Sequence, residues 1–193
     1  MHFMRYPPEH KKQTLSRIVQ AAAGLFRSRG YAATGVDAVM ASANLTAGGF
    51  YSHFRSKENL LAEALDVAFR QSQENWPPRL KELRGKEWVR EFVSFYLCSG
   101  HRDAPEVGCP MPSLTPEIRR IDGTPRNVFE RHLRGLIETV NQHMAPRNRY
   151  RAISAIALCV GGLMLARAAK DSVLSEEILR ACREAVVEGS QQV

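Results

Sequence analysis

The chain has 193 residues, with 27 Lys and Arg against 20 Asp and Glu, a formal net charge of +7. It is long enough to bury a core without staples, and its 44% hydrophobic and 24% charged residues exclude a disordered tail, a collagen or a membrane bundle. The basic balance favours a polyanionic partner.

Residues 1–12 read as a basic arm, disordered in the free protein and without the apolar run of a secretory signal. A helix follows from Thr14 to Arg29. Ile18, Ala22, Leu25 and Phe26 share one apolar face, and Gly30 supplies a left-handed stop. A second helix starts at Thr34 as N-cap, with Asp37 at capping-box spacing and Val36, Val39 and Met40 inside, and ends near Ser42. Ala43-Asn44-Leu45 joins it to a short third helix from Thr46 to His53. Ser56 caps a fourth, with Leu61, Ala64, Leu65 and Ala68 inward, which Trp76-Pro77-Pro78 breaks.

The second half is also helical. Glu87–Gly100 carries Val89, Phe92, Val93 and Tyr96 at helical spacing, and a loop follows from His101 to Ser113. Thr115-Pro116 and Thr124-Pro125 both read as helix starts, the second helix reaching about Met144 with Val128, Leu133, Leu136, Ile137 and Val140 inside. Arg147–Ala169 and a helix from Ser175 to Gly189 complete the chain. The apolar run from Ala152 to Ala166 is shorter than the ~20 residues of a spanning helix. The fold class is all-α. An arm (1–12) leads into a small helical unit (13–70), and a larger helical unit (71–193) follows.

The second and third helices have helix-turn-helix spacing. The string from Leu45 through Thr46, Ala47, Gly48, Gly49, Phe50, Tyr51, Ser52, His53, Phe54, Arg55, Ser56, Lys57, Glu58, Asn59 and Leu60 to Leu61 sharpens that reading. Each glycine inside a helix costs roughly 1 kcal/mol relative to alanine, so the pair implies a backbone that approaches something bulky. Thr46, Tyr51, His53 and Lys57 carry groups that bond phosphate oxygens. Residues 1–65 hold eight basic residues against four acidic ones.

From about Arg17 to Leu65 the chain resembles the DNA-binding domain of TetR-family transcriptional regulators. The match includes Ala22, Phe26, Gly30, Tyr31, Thr34, Val36, Gly48, Tyr51, Phe54, Lys57 and Leu60, in order and without a gap. The four cysteines are sparse and form no C-x-x-C, which reads as a reducing, cytoplasmic setting. The resemblance implies a two-domain, all-helical homodimer. Its first three helices bind double-stranded operator DNA, and its C-terminal domain takes a small-molecule effector. It implies phosphate contacts from Thr34, Tyr51 and Lys57, with Thr46–Gly49 facing bases. Repression is the expected mode. Ala47, Gly48 and Gly49 offer no hydrogen-bonding side chains, so readout there rests on Thr46, the backbone, methyl contacts or DNA shape.

Small residues on the penultimate helix, Ala152, Ala155, Ile156, Cys159, Gly162, Leu163 and Ala166, suit close helix approach and are expected at the dimer seam. Their alternative is the core of one subunit. Trp88, Phe92, Phe95, Tyr96, Phe129, Leu133, Ile137 and Met164 are the candidate effector lining, or plain core. Cys98 and Cys109 bracket a loop containing His101 and Asp103, and three readings compete there. They are a metal site lacking its fourth ligand, a thiol sensor activated by nearby positive charge, and small structural residues. Cys159 and Cys182 read as core. No nucleophile elbow, P-loop, zinc-protease or dinucleotide motif is present, so neither enzyme activity nor a cofactor or resident metal is expected.

Overall fold

The computed structural model describes residues 8–190, and among these nine α-helices and two 3₁₀ turns occur without a strand. The helices are α1 (Pro8–Arg29), α2 (Val36–Ser42), α3 (Lys57–Glu74), α4 (Gly85–Tyr96), α5 (Ser99–Asp103), α6 (Met111–Ile118), α7 (Thr124–His143), α8 (Arg149–Ala168) and α9 (Ser172–Gly189). The 3₁₀ turns are Ala47–Ser52 and Pro78–Lys81.

The first helix begins six positions earlier than Thr14, at Pro8. Proline is tolerated at a first helical position, and no breaker lies between it and Thr14. Residues 8–12 are therefore helical rather than part of an arm, and the expectation for residues 1–7 falls outside the described residues. Ile18, Ala22 and Phe26 are fully buried, and Gly30 ends the helix at φ +85°. α2 starts after Gly35, which makes no side-chain cap. Thr34 is not the cap because its hydroxyl donates to the Gly30 carbonyl at 2.6 Å. α3 begins at the Ser56 cap, whose hydroxyl accepts the Asn59 N–H at 3.2 Å. It runs unbroken through residue 70, so its lower half packs with α1 and its length carries into contact with α7.

In the C-terminal half the expected 101–113 loop is partly helical. Leu97 interrupts the helix after Tyr96, and the Cys98 sulfur caps α5 by accepting the His101 N–H at 3.4 Å. Pro116 does not start a helix but lies inside α6, which Pro110 and Met111 begin. Gly123 precedes α7, one position before the expected Thr124 cap, and Asp171 caps α9 four positions before Ser175. Ser175 is buried instead and donates to the Ala166 carbonyl at 2.8 Å.

One contiguous apolar core runs through both halves. The small-residue face of α8 belongs to it. Ala152, Ala155, Ile156, Cys159, Gly162, Leu163 and Ala166 are all buried within the subunit, not free for a dimer seam. A Cβ on Gly162 would fall 2.6 Å from the Cys182 sulfur, so this face is where α9 closes on α8. At 20 residues and a mean hydropathy of 1.5, α8 meets the length and composition of a membrane span, beyond the shorter apolar run read from sequence. Its apolarity has another account: one face fills the core, and the other exposes Tyr150, Ile153, Leu158 and Leu165.

Candidate DNA interface and apolar cavity

The turn after α2 places Asn44 at φ +56°, and the Leu45 N–H returns to the Met40 carbonyl at 2.9 Å. Arg17 of α1 donates to the Ala43 carbonyl and pins the same joint. The following segment, Ala47–Ser52, is a 3₁₀ turn rather than an α-helix. Phe50 anchors it, buried and stacked on Phe54 at 5.6 Å. The rest points outward. Thr46, Ala47 and Gly48 are exposed, Gly49 is half-buried, and Tyr51 is 76% exposed. Thr46 makes no capping bond, so its hydroxyl is not committed to the helix start.

The glycine pair is not explained from within. A Cβ on Gly48 would meet nothing within 4 Å, and one on Gly49 would make ordinary contact with the Met40 methyl at 3.5 Å. No described residue requires a bare backbone at either position.

Thr34 is corrected as a phosphate contact. It is 1% exposed and its hydroxyl is turned inward. Lys57 is the first residue of α3, next to the Ser56 cap. Its Nζ donates to the Tyr31 carbonyl at 2.6 Å and sits 4.1 Å from the centre of the Tyr31 ring. An ammonium has two further protons to give. His53 is half-buried, and its Nδ1 is enclosed without a hydrogen-bond partner among the described residues. Burial, and then Lys11, lower its pKa.

A separate cavity of about 290 Å³ lies between α3, α4, α5 and the 104–109 loop. Of the residues expected to line an effector site, only Phe95 and Tyr96 face it. Trp88 and Phe92 are core: they stack on each other at 4.9 Å, and Trp88 stacks on His143 at 4.7 Å. Phe129, Leu133 and Ile137 line a shallower apolar groove with Ile153 and Val160, and Met164 lines neither hollow.

Cys98 and Cys109 both line the cavity, together with His101. The imidazole is held at both nitrogens. Nδ1 lies 2.7 Å from the Tyr96 carbonyl, and Nε2 accepts the Cys109 N–H at 3.0 Å. This fixes the Nδ1–H tautomer. Burial pushes the His101 pKa down to about 4, and Arg167 adds to that. Both nitrogens are thus spent on the fold, and no group of three or more His, Cys, Asp or Glu suited to a metal occurs among the described residues. The Cys109 thiol is buried, and burial pushes its pKa up rather than down. That is opposite to the activation a thiol sensor needs. Gly108 explains part of the loop sequence. A Cβ there would sit 2.5 Å from the His101 ring.

Three residues that sequence reasoning did not single out hold the cavity wall or tie it to the helix-turn-helix. Arg27 of α1 is buried and donates to the Gly108 carbonyl at 2.9 Å and to Gln71 of α3 at 3.0 Å. Arg167 of α8 donates to the carbonyls of His101 at 2.7 Å and Arg102 at 3.0 Å. Glu117 of α6 accepts the N–H groups of Tyr31 and Ala32, each at 2.7 Å. The chain between cavity and head is short. Cys109 leads into α6, α6 carries Glu117, Glu117 holds Tyr31, and Tyr31 holds Lys57. No local signal marks these bonds, because their partners lie 44 or more positions away.

An all-helical chain with an exposed helix-turn-helix at its N-terminal end defines the class of helix-turn-helix DNA-binding proteins. Residues 18–64 match the family described as bacterial regulatory proteins, tetR family. The chain is 33% identical over 70 residues to the HTH-type transcriptional regulator YerO of Bacillus subtilis (strain 168), covering 36% of this chain and 24% of that protein. It is 36% identical over 62 residues to the transposon Tn10 TetC protein of Escherichia coli, covering 32% of each. These matches thus span about a quarter to a third of the curated relatives. Over nearly its whole length the chain is similar to a TetR transcriptional regulator from Chloroflexus aurantiacus J-10-FL, at 26% identity and a TM-score of 0.74, covering 96% of this chain and 98% of that one. Residues 18–64 thus carry the family's DNA-binding unit, and the chain as a whole has the fold of a solved TetR transcriptional regulator.

Proposed function

We propose that the protein is a dimeric cytoplasmic repressor that holds operator DNA through the 46–51 segment and releases it when a small molecule enters the 290 Å³ cavity. The observation that carries this reading is the bonded path from cavity wall to reading head: Gly108 to Arg27, and Glu117 to Tyr31 to Lys57. A ligand that displaces the 104–109 loop moves α6 and Arg27 together. The α1–α2 turn and the first turn of α3 follow. Thr46, Tyr51 and Lys57 then lose their spacing relative to the phosphates.

The dimer forms on the outer face of α8 and α9. Tyr150, Ile153, Leu158 and Leu165 are exposed on α8, and Val173 and Leu174 at the start of α9. Large exposed apolar side chains on adjoining helices mark an association surface. Two-fold pairing there gives two reading heads, which half-site recognition requires.

The test is fluorescence anisotropy of the protein on DNA from upstream of its own gene, over a salt series. Saturable binding that weakens steeply with salt is expected, because phosphate contacts release counterions. Affinity that is absent, or indifferent to salt and sequence, overturns the reading.

A further inference from the structure

The end of α6 lies against the turn between α1 and α2, because the Glu117 carboxylate accepts the Tyr31 and Ala32 N–H groups there. Just beyond, the Arg120 N–H donates to the Glu117 carbonyl at 2.9 Å, which closes a turn of three residues. In such a turn the side chains at i and i+3 eclipse, so Arg120 leaves the helix on the side of Glu117. That is the side of Tyr31, whose carbonyl holds Lys57. Arg119, two positions after Glu117, leaves in another direction.

Arg120 is exposed and makes no ion pair among the described residues. The arginines of α7 differ. Arg126 is paired with Asp122, Arg131 with Asp66 and Arg134 with Glu130. The acidic groups around Arg120 are engaged elsewhere. Asp122 is held by Arg126, and Glu117 by two backbone donors. Glu58 is held by its own backbone, Ser56 and Tyr31. Arg29, exposed at the end of α1, adds positive charge beside the same turn.

Arg29, Lys57 and Arg120 thus reach one corner of the molecule from α1, α3 and α6. Like charges gathered this way repel until a polyanion offsets them. Duplex DNA offers a phosphate at every base step, and a guanidinium fork fits two phosphate oxygens.

We propose that Arg120 is a DNA contact supplied from outside the helix-turn-helix, its guanidinium pairing with a backbone phosphate next to the one that Lys57 meets. The inference rests on the reading of Lys57 and the 46–51 segment as the DNA interface, and it extends that interface to the C-terminal half. α6 begins at Met111, two residues after Cys109 in the cavity wall. One helix therefore runs from the cavity to the DNA backbone.

The test uses the full-length protein in fluorescence anisotropy on DNA from upstream of its own gene, between 50 and 200 mM salt, the range over which phosphate contacts are read. Arg120→Gln should flatten the slope of log affinity against log salt by about 0.9 and weaken binding about fivefold at 0.1 M salt. Arg120→Lys, which keeps the charge, should retain the wild-type slope. Arg119→Gln should keep both slope and affinity. Urea unfolding of all three should match wild type, since no side-chain bond is lost. Wild-type slope and affinity in Arg120→Gln overturn the contact and leave the regulator reading standing. Weaker binding with an unchanged slope in both Arg120 variants marks a structural role and overturns it too. An equally flattened slope in Arg119→Gln marks a diffuse basic field and overturns the assignment to Arg120. Absence of DNA binding by the wild type overturns the regulator reading and this contact with it.

Discussion

The backbone N–H of Tyr31 donates to the Glu117 carboxylate at 2.7 Å, although 86 positions of chain separate them. The same tyrosine's carbonyl accepts from Lys57, so one residue joins α6 to the first turn of α3. Replacing Glu117 by glutamine removes the charge and sets an amide NH₂ against one of two backbone donors. We expect a loss of about 2 kcal/mol in urea unfolding, since hydrogen bonds to charged groups contribute more than neutral ones. DNA affinity should fall as well, and ligand should change it less. Wild-type values for stability, affinity and response together would sink the coupling path.

Gly48→Ala separates fold from function. No atom lies within 4 Å of the added methyl group, so stability should hold or rise by up to about 0.5 kcal/mol from better helix propensity. DNA affinity should drop about tenfold if this backbone lies against the duplex, as overpacking of a close interface does. Thermal melts and anisotropy on the same preparation decide it. Unchanged affinity would move the interface elsewhere.

Tyr51 and Lys57 should weaken DNA binding in different ways. Lys57→Met should flatten the slope of log affinity against log salt by about 1, the signature of one lost phosphate contact. Tyr51→Phe should weaken all sequences about equally and leave the slope as it was, because the phenol is neutral. A salt slope unchanged in Lys57→Met would assign that ammonium solely to the Tyr31 carbonyl.

Leu165 is 61% exposed on the outer face of α8. Leu165→Glu should convert the dimer to monomers in sedimentation velocity without unfolding the subunit, and DNA affinity should fall about tenfold or more. Ala155→Glu, on the buried inner face, should instead unfold the chain. Dimers persisting in Leu165→Glu would place the seam on another surface.

His101 makes the fold acid-sensitive. Its pKa is lowered from 6.5 to about 4 on folding, so between those values the unfolded chain binds a proton that the folded chain refuses. Stability contributed by the neutral imidazole is present above pH 6.5 and is lost as the pH falls through this window, at about 1.4 kcal/mol per pH unit. Urea unfolding at pH 6.5 and 5 should differ by about 2 kcal/mol from this residue. His101→Gln should be less stable at pH 7.5 but flatter across the window. Parallel profiles would assign the acid loss to other groups.

Much of this molecule was legible in its sequence for a local reason. Helices α1, α3, α4, α7 and α9 follow apolar periodicity and capping or breaking residues, and those signals act within one or two turns. The string from Leu45 to Leu61 marks the helix-turn-helix because its spacing and its glycine pair are also local. Cap positions slipped where a side chain found a better partner, as Thr34 did at the Gly30 carbonyl.

Only the tertiary structure decided which side of α8 faces inward. That helix is apolar on both sides, so periodicity names no inner face; the choice fell to the fit of Gly162 against Cys182. It also decided that Trp88 and Phe92 fill the core while Phe95 and Tyr96 face a cavity, that Arg27 and Glu117 tie the C-terminal half to the reading head, and that Arg167 holds the cavity wall. Each of those bonds pairs groups 65 or more positions apart. Such pairs leave no trace in local pattern, because a donor and an acceptor far apart in sequence are matched only when packed helices bring them together.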